Sequence, residues 1–143
     1  MIKTLKSFSM AFCFILALLQ TSCNSDDDNS GDCDNIACTA IFIRVNVTVV
    51  DENQDPVALD AFEVINTQNG QDMTIELSPS EFEGAQEFGL YPLIEDGVLG
   101  LNQERDVEFR GFIGGEEVVS GNYTVGTDCC HVSLKSGNPQ LTL

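Results

Sequence analysis

Six cysteines, one histidine and twenty-three carboxylates against six basic side chains are the groups with chemistry to offer in this 143-residue chain. Cys33, Asp34 and Cys38 lie near its beginning and Cys129, Cys130 and His131 near its end, so a fold that brings the two stretches together makes either a metal site or a set of cross-links. Zinc wants a Cys-x2–4-Cys pair on each side, and the adjacent Cys129-Cys130 does not supply one. No metal and no cofactor is expected. Calcium needs carboxylates at fixed loop positions. Asp26-x-Asp28-x-Ser30-Gly31-Asp32-x-Asp34 matches the first nine places of a calcium loop, but the twelfth is Ala37 instead of a bidentate Glu. Nucleophilic catalysis would rest on His131 as the sole imidazole, and no Gly-x-Ser-x-Gly elbow is present. Paired carboxylates for glycoside hydrolysis are available in number, yet a small sandwich seldom encloses a sugar between them. The expectation is a protein without catalytic activity.

The start of the chain sets the compartment. Lys3 and Lys6 form a positive region and Phe8 to Leu19 a short apolar one, the layout of a secretory signal. The apolar stretch falls short of the roughly 20 residues that span a bilayer. Leu19-Gln20-Thr21-Ser22-Cys23 resembles the lipobox of bacterial lipoproteins, with small Thr21 and Ser22 before the cysteine and Gln20 where an aliphatic residue is common. The resemblance implies removal of residues 1–22 and lipidation of Cys23, with the chain held at a membrane by its N-terminal lipid. Ser25-Asp26-Asp27-Asp28 resembles the export signal of surface lipoproteins in Bacteroidota, which implies an outer-membrane anchor and a domain facing the cell exterior. The same run also reads as a plain solvated tether over residues 23–34.

In an exported chain, Cys33, Cys38, Cys129 and Cys130 read as two disulfides. Closing Cys129 on Cys130 would strain an eight-membered ring, so the N-terminal pair is expected to join the C-terminal pair. Neighbouring strand residues point to opposite faces. That phase favours Cys38 with Cys129 and Cys33 with Cys130.

Without residues 1–22, four basic side chains (Arg44, Arg105, Arg110, Lys135) face twenty-three acidic ones, a net charge of −19. Such a surface repels phosphate backbones, so no nucleic-acid partner is expected.

Residues 35–143 must then supply one small domain. From Ala40 to Val50 apolar residues alternate with Arg44, Asn46 and Thr48, the period of a half-buried strand. Asp51 to Pro56 reads as a turn, Val57 to Thr67 as a strand with a bulge where its phase shifts, and Met73 to Leu77 as a short strand. Ser78-Pro79-Ser80-Glu81 carries a capping box and Gly89 a stop, which places a short helix or a turn-rich loop over 79–88. Alternation returns in Val107 to Ile113, turns at Gly114-Gly115, and continues through Val119 to Val125 and Cys130 to Leu134. The fold class is all-β, a single antiparallel immunoglobulin-like or prealbumin-like sandwich of about seven strands.

Val47-Thr48-Val49-Val50-Asp51-Glu52-Asn53-Gln54-Asp55-Pro56-Val57 is similar to the opening strand and turn of carboxypeptidase regulatory-like and transthyretin-like domains, where Gly is usual in place of Gln54. The resemblance implies a prealbumin-type sandwich serving as a non-catalytic accessory or adhesive module. Sandwich loops are where contacts are made, so Glu52, Asn53, Asp55, Glu95, Asp96 and Glu104 are the candidate contact residues, facing a protein or glycan partner at the cell surface. A cation or small-ligand carrier using acidic loops is the alternative, and a small hydrolase ranks behind both.

Overall fold

A computed structural model describes residues 33–143. The expected signal peptide, Cys23, the acidic run Asp26–Asp28 and most of the calcium-loop match lie outside the described residues. Two sheets pack face to face. One has the order β3-β1-β7, built from β3 (Leu90–Glu95), β1 (Arg44–Val50) and β7 (Gln140–Thr142). The other has the order β2-β4-β5-β6, built from β2 (Ala61–Asn66), β4 (Glu104–Ile113), β5 (Glu116–Thr127) and β6 (Val132–Ser136). A single helix among the described residues, α1 (Pro79–Phe88), lies in the crossover from β2 to β3. All pairings are antiparallel except β1 with β7. The all-β sandwich with one short helix is therefore the observed class.

Alternating β-branched residues put Val47, Val49, Val64, Val107, Phe109 and Val125 between the sheets, each at most 1% exposed. Phe62 joins the elements sideways: its ring lies 5.7 Å from Tyr91, 6.0 Å from Phe109 and 6.4 Å from Phe82 of the helix. The helix starts as its sequence dictates. Ser78 Oγ accepts from the Glu81 N–H while Glu81 Oε2 accepts from the Ser78 N–H at 2.9 Å, and Pro79 occupies the first turn. Gly89 ends it with φ 62°, where a Cβ would stand 2.5 Å from the Val49 carbonyl oxygen.

Several expected elements differ in extent. β1 begins at Arg44 and not at Ala40, because β3 offers no partner beyond Glu95. Residues 57–60 are not strand; they cross from one sheet to the other, Val57 N–H donating to Val49 O and Asp60 N–H to Phe112 O. The phase shift expected to be a bulge is this crossing. Leu59, fully buried in it, fits because Gly111 has no Cβ: one would stand 2.7 Å from Leu59 Cδ1. Met73 to Leu77 also forms no strand. The Val64 N–H is taken by Thr74 Oγ1 at 2.9 Å, and Asp72 Oδ1 takes the Thr74 N–H, so side chains end the ladder. Conversely, β3 shows no alternation because Tyr91 to Ile94 are all buried, with α1 packed on the strand as well as the core. Its Pro92 needs no ladder N–H on an edge strand, and the register slips opposite it between Val45 and Asn46.

Candidate functional site

The register of the strands defines two ends. At one, Val57, Asp60 and the Gly114-Gly115 turn meet the last residues of β1, with Gly114 N–H donating to Asp60 Oδ2. At the other, the entry to β1, the loop after β3 and the loop before β6 come together. This second end gathers the cysteines and the histidine.

Asp128 shapes it. Its Oδ1 accepts the N–H of Cys130 at 2.7 Å and of His131 at 2.8 Å, which bends the chain ahead of β6. Those donors hold the Asp128 carboxyl below its ordinary pKa, the His131 and Cys130 N–H groups contributing most. Because Cys129 and Cys130 lie in this bend and Cys38 precedes β1, strand phase does not govern them. The observed disulfides are Cys33–Cys129 and Cys38–Cys130, which overturns the expected pairing. Asn102 donates to Cys33 Sγ at 3.1 Å and fastens the loop after β3 to the same knot.

Beside the disulfides runs a chain of three side chains. Thr39 Oγ1 lies 3.0 Å from His131 Nε2, and His131 Nδ1 lies 2.8 Å from Asp96 Oδ2. Asp96 also accepts the Ile43 N–H at 2.9 Å and, through Oδ1, the Val132 N–H at 2.8 Å. Burial works against the Asp96 charge, but the donors from His131, Val132 and Ile43 outweigh it and lower its pKa. Hydroxyl, imidazole and carboxylate follow the order of a hydrolytic relay. The Cys130 and His131 N–H groups beside the imidazole are already donated to Asp128, and Thr39 is exposed on a loop. The arrangement works as a bracket between the N-terminal segment, β3 and β6. His131 is thus a bracket residue just ahead of β6, where the alternation from Cys130 to Leu134 reads as strand. The Asp128-x-x-His131 spacing is its only sequence signal.

The candidate contact residues fall at both ends. Glu52, Asn53 and Asp55 are exposed in a turn organised by Asp51, whose Oδ1 accepts the N–H of Asn53 at 2.8 Å and of Asp55 at 2.9 Å. Gln54 within it has φ 70°. That is a left-handed conformation that favours glycine. Glu95 is paired with Arg44 at 2.6 Å, Asp96 is engaged in the bracket, and Glu104 is exposed. Asp96 thus has both oxygens engaged within the fold while its side chain stays 17% exposed.

A surface cavity of about 430 Å³ opens between the crossover after β2 and the loop after β3. Asp72, Glu76, Glu95, Gln71 and Gln103 give it acceptors and amides, and Arg105 a positive charge. Its lining contains no His or Cys. Among the described residues, no three His, Cys, Asp or Glu side chains are grouped to hold a metal ion. Compared with known proteins, the chain matches no family model, no curated protein and no solved structure.

Proposed function

We propose that the chain is a non-catalytic lipoprotein of the outer cell surface. Residues 1–22 direct export, Cys23 carries the lipid, residues 23–34 form the tether, and the sandwich of residues 35–143 is a binding or accessory module for adhesion or nutrient uptake. On this reading the sandwich follows the prealbumin-type plan of carboxypeptidase regulatory-like and transthyretin-like domains. The observation that carries the proposal is the treatment of the segment leading in from the tether. Residues 34–42 are exposed and unpaired by any strand, yet two disulfides bind the segment to the domain. Fastening of this kind would let the segment carry load from an anchor into the domain. The exposed Glu52-Asn53-Gln54-Asp55 turn lies at the end away from that attachment and is the presented surface.

The test is fractionation of cells expressing the chain or its Cys23→Ala variant. The wild type is expected in the membrane fraction and the variant in the soluble exported fraction. Equal distribution of the two would contradict lipid anchoring. A second reading, the small-ligand carrier, is favoured by the 430 Å³ acidic cavity, a volume within the usual range for ligand sites. Its test is a melting curve with divalent cations or small polar solutes, where saturation at a hundred times Kd adds about 2.7 kcal/mol. No shift in any of them sinks that reading.

A further inference from the structure

The inner face of the four-stranded sheet changes character where it nears the loop after β3. Along β2, Phe62 and Val64 lie between the sheets, and the next residue in that phase is Asn66, only 3% exposed. Along β4, Phe109 and Val107 do the same, and the next in phase is the half-buried Arg105. Core positions call for apolar side chains, and these two hold an amide and a guanidinium instead. Both line the cavity of about 430 Å³.

Neither is fully satisfied within the protein. Asn66 Oδ1 accepts the Gln68 N–H at 2.9 Å, while its Nδ2 meets no acceptor among the described residues. The chain has twenty-three carboxylates against six basic side chains, and Arg44 is paired with Glu81 and Glu95, Arg110 with Glu108 and Glu117. Arg105 has no carboxylate partner among the described residues. Its terminal nitrogens donate to neutral acceptors, Gln103 Oε1 at 3.0 Å and the Glu104 carbonyl at 2.7 Å, which fix the group and leave its charge uncompensated. A braced guanidinium beside a buried amide donor is suited to a carboxylate.

The rest of the lining repels a simple anion. Glu95 is paired with Arg44 at 2.6 Å, but Asp72 and Glu76 have no basic partner among the described residues. A ligand drawn to Arg105 must therefore carry a positive group as well as a carboxylate. Met73 and Leu99, packed against the core, add an apolar wall. We infer that this cavity binds a zwitterionic α-amino acid with an aliphatic side chain, its carboxylate on Arg105 and the Asn66 amide, its ammonium toward Glu76, and its side chain against Met73 and Leu99. The inference rests on the small-ligand carrier reading and is independent of the lipid anchor.

Calorimetric titration of the full chain with L-leucine, L-leucinamide, isocaproate, glucose and calcium chloride tests it. Leucine is expected to give a saturable heat. Leucinamide, which lacks the carboxylate, and isocaproate, which lacks the ammonium, should each bind at least about tenfold more weakly. Arg105→Gln should weaken leucine by about tenfold or more. Glu76→Gln, at an exposed position that bears on no packing, should weaken leucine without weakening isocaproate. Leucinamide or isocaproate binding as tightly as leucine overturns the inference, as does leucine binding that neither substitution alters. Heat from glucose or calcium with none from leucine overturns it and leaves the carrier reading standing. No heat from any of the five removes both.

Discussion

The two ends of the sandwich are held by different forces. At the end away from the tether, a dense aromatic group does the work. Tyr91 is fully buried, its hydroxyl donates to Val57 O at 2.8 Å and accepts the Leu59 N–H at 2.7 Å, and its ring touches Phe62 and Phe109. The tether end has nothing comparable, because residues 34–42 bury almost no surface. Two disulfides, the Asp96–His131–Thr39 bracket and the Asp128 turn take the place of packing there. A segment with no strand partner and no core to join is thus fixed by disulfides and hydrogen bonds. On the proposed reading the protein is exported, and an oxidising compartment makes the first of these available.

The largest expected effect separates the two forces. Both disulfides close nearly the same loop, with sequence separations of 96 and 92. Once one is in place, the second closes only the few residues between 33 and 38 and between 129 and 130. Chain entropy then assigns about 5 kcal/mol to whichever forms first and about 2 kcal/mol to the other. Urea denaturation of Cys33→Ser/Cys129→Ser or Cys38→Ser/Cys130→Ser should show a loss of about 2 kcal/mol, and removal of all four cysteines roughly 7. Either pair costing as much alone as both together would refute covalent fastening as the force that holds the tether end.

Tyr91→Phe tests the other end. It leaves the Leu59 N–H and Val57 O without their partner in a buried place and should cost about 2 kcal/mol. Thr39→Val, which removes one exposed hydroxyl from the bracket, should cost below about 1 kcal/mol. A reversal of that order would mean the bracket carries more than the aromatic group. Gln54→Gly in the Asp51 turn should raise stability by about 0.5 kcal/mol, since a side chain at φ 70° is strained and glycine relieves this at some entropic cost. A loss on that substitution would show that the contact of Gln54 Oε1 with Gln140 Nε2, at 2.8 Å, outweighs the strain.

Most of this architecture is legible in the sequence, for reasons that lie in particular residues. Val47, Val49, Val107 and Phe109 alternate because one face of their strands is wet, and the bounds of α1 are legible because Ser78, Pro79, Glu81 and Gly89 each satisfy a local backbone demand, although the few apolar residues between them leave helix and turn-rich loop both open. β3 is opaque because burial on both sides erases alternation, and β7 because three residues are too few to show a period. The candidate site is harder to read. The four cysteines can be matched across the chain, but their partners depend on the Asp128 bend, a side-chain hydrogen bond that no strand period reports. Asp96 looks like a loop contact because its sequence neighbours Glu95 and Gly97 are turn-like. Only the fold brings Ile43, His131 and Val132 to it.

The smallest expected effect is on acid stability. Asp96 and Asp128 have native pKa values below the ordinary carboxylate value. Their contribution is complete above the unfolded value near pH 4 and is lost as pH falls through the lowered native midpoints. Carboxyl chemical shifts followed by NMR should give midpoints under 3.8 for both, and a midpoint above it for Asp96 would mean that burial, not its three donors, governs the bracket.

On the proposed reading the chain hangs by its cross-linked end and presents the opposite end to the outside. An epitope inserted between Gly114 and Gly115, in the exposed turn between β4 and β5, reports this directly on intact cells. Antibody should bind cells making the lipidated protein and should be lost with Cys23→Ala, which leaves the chain unanchored. Binding only after the outer membrane is permeabilised would contradict that orientation.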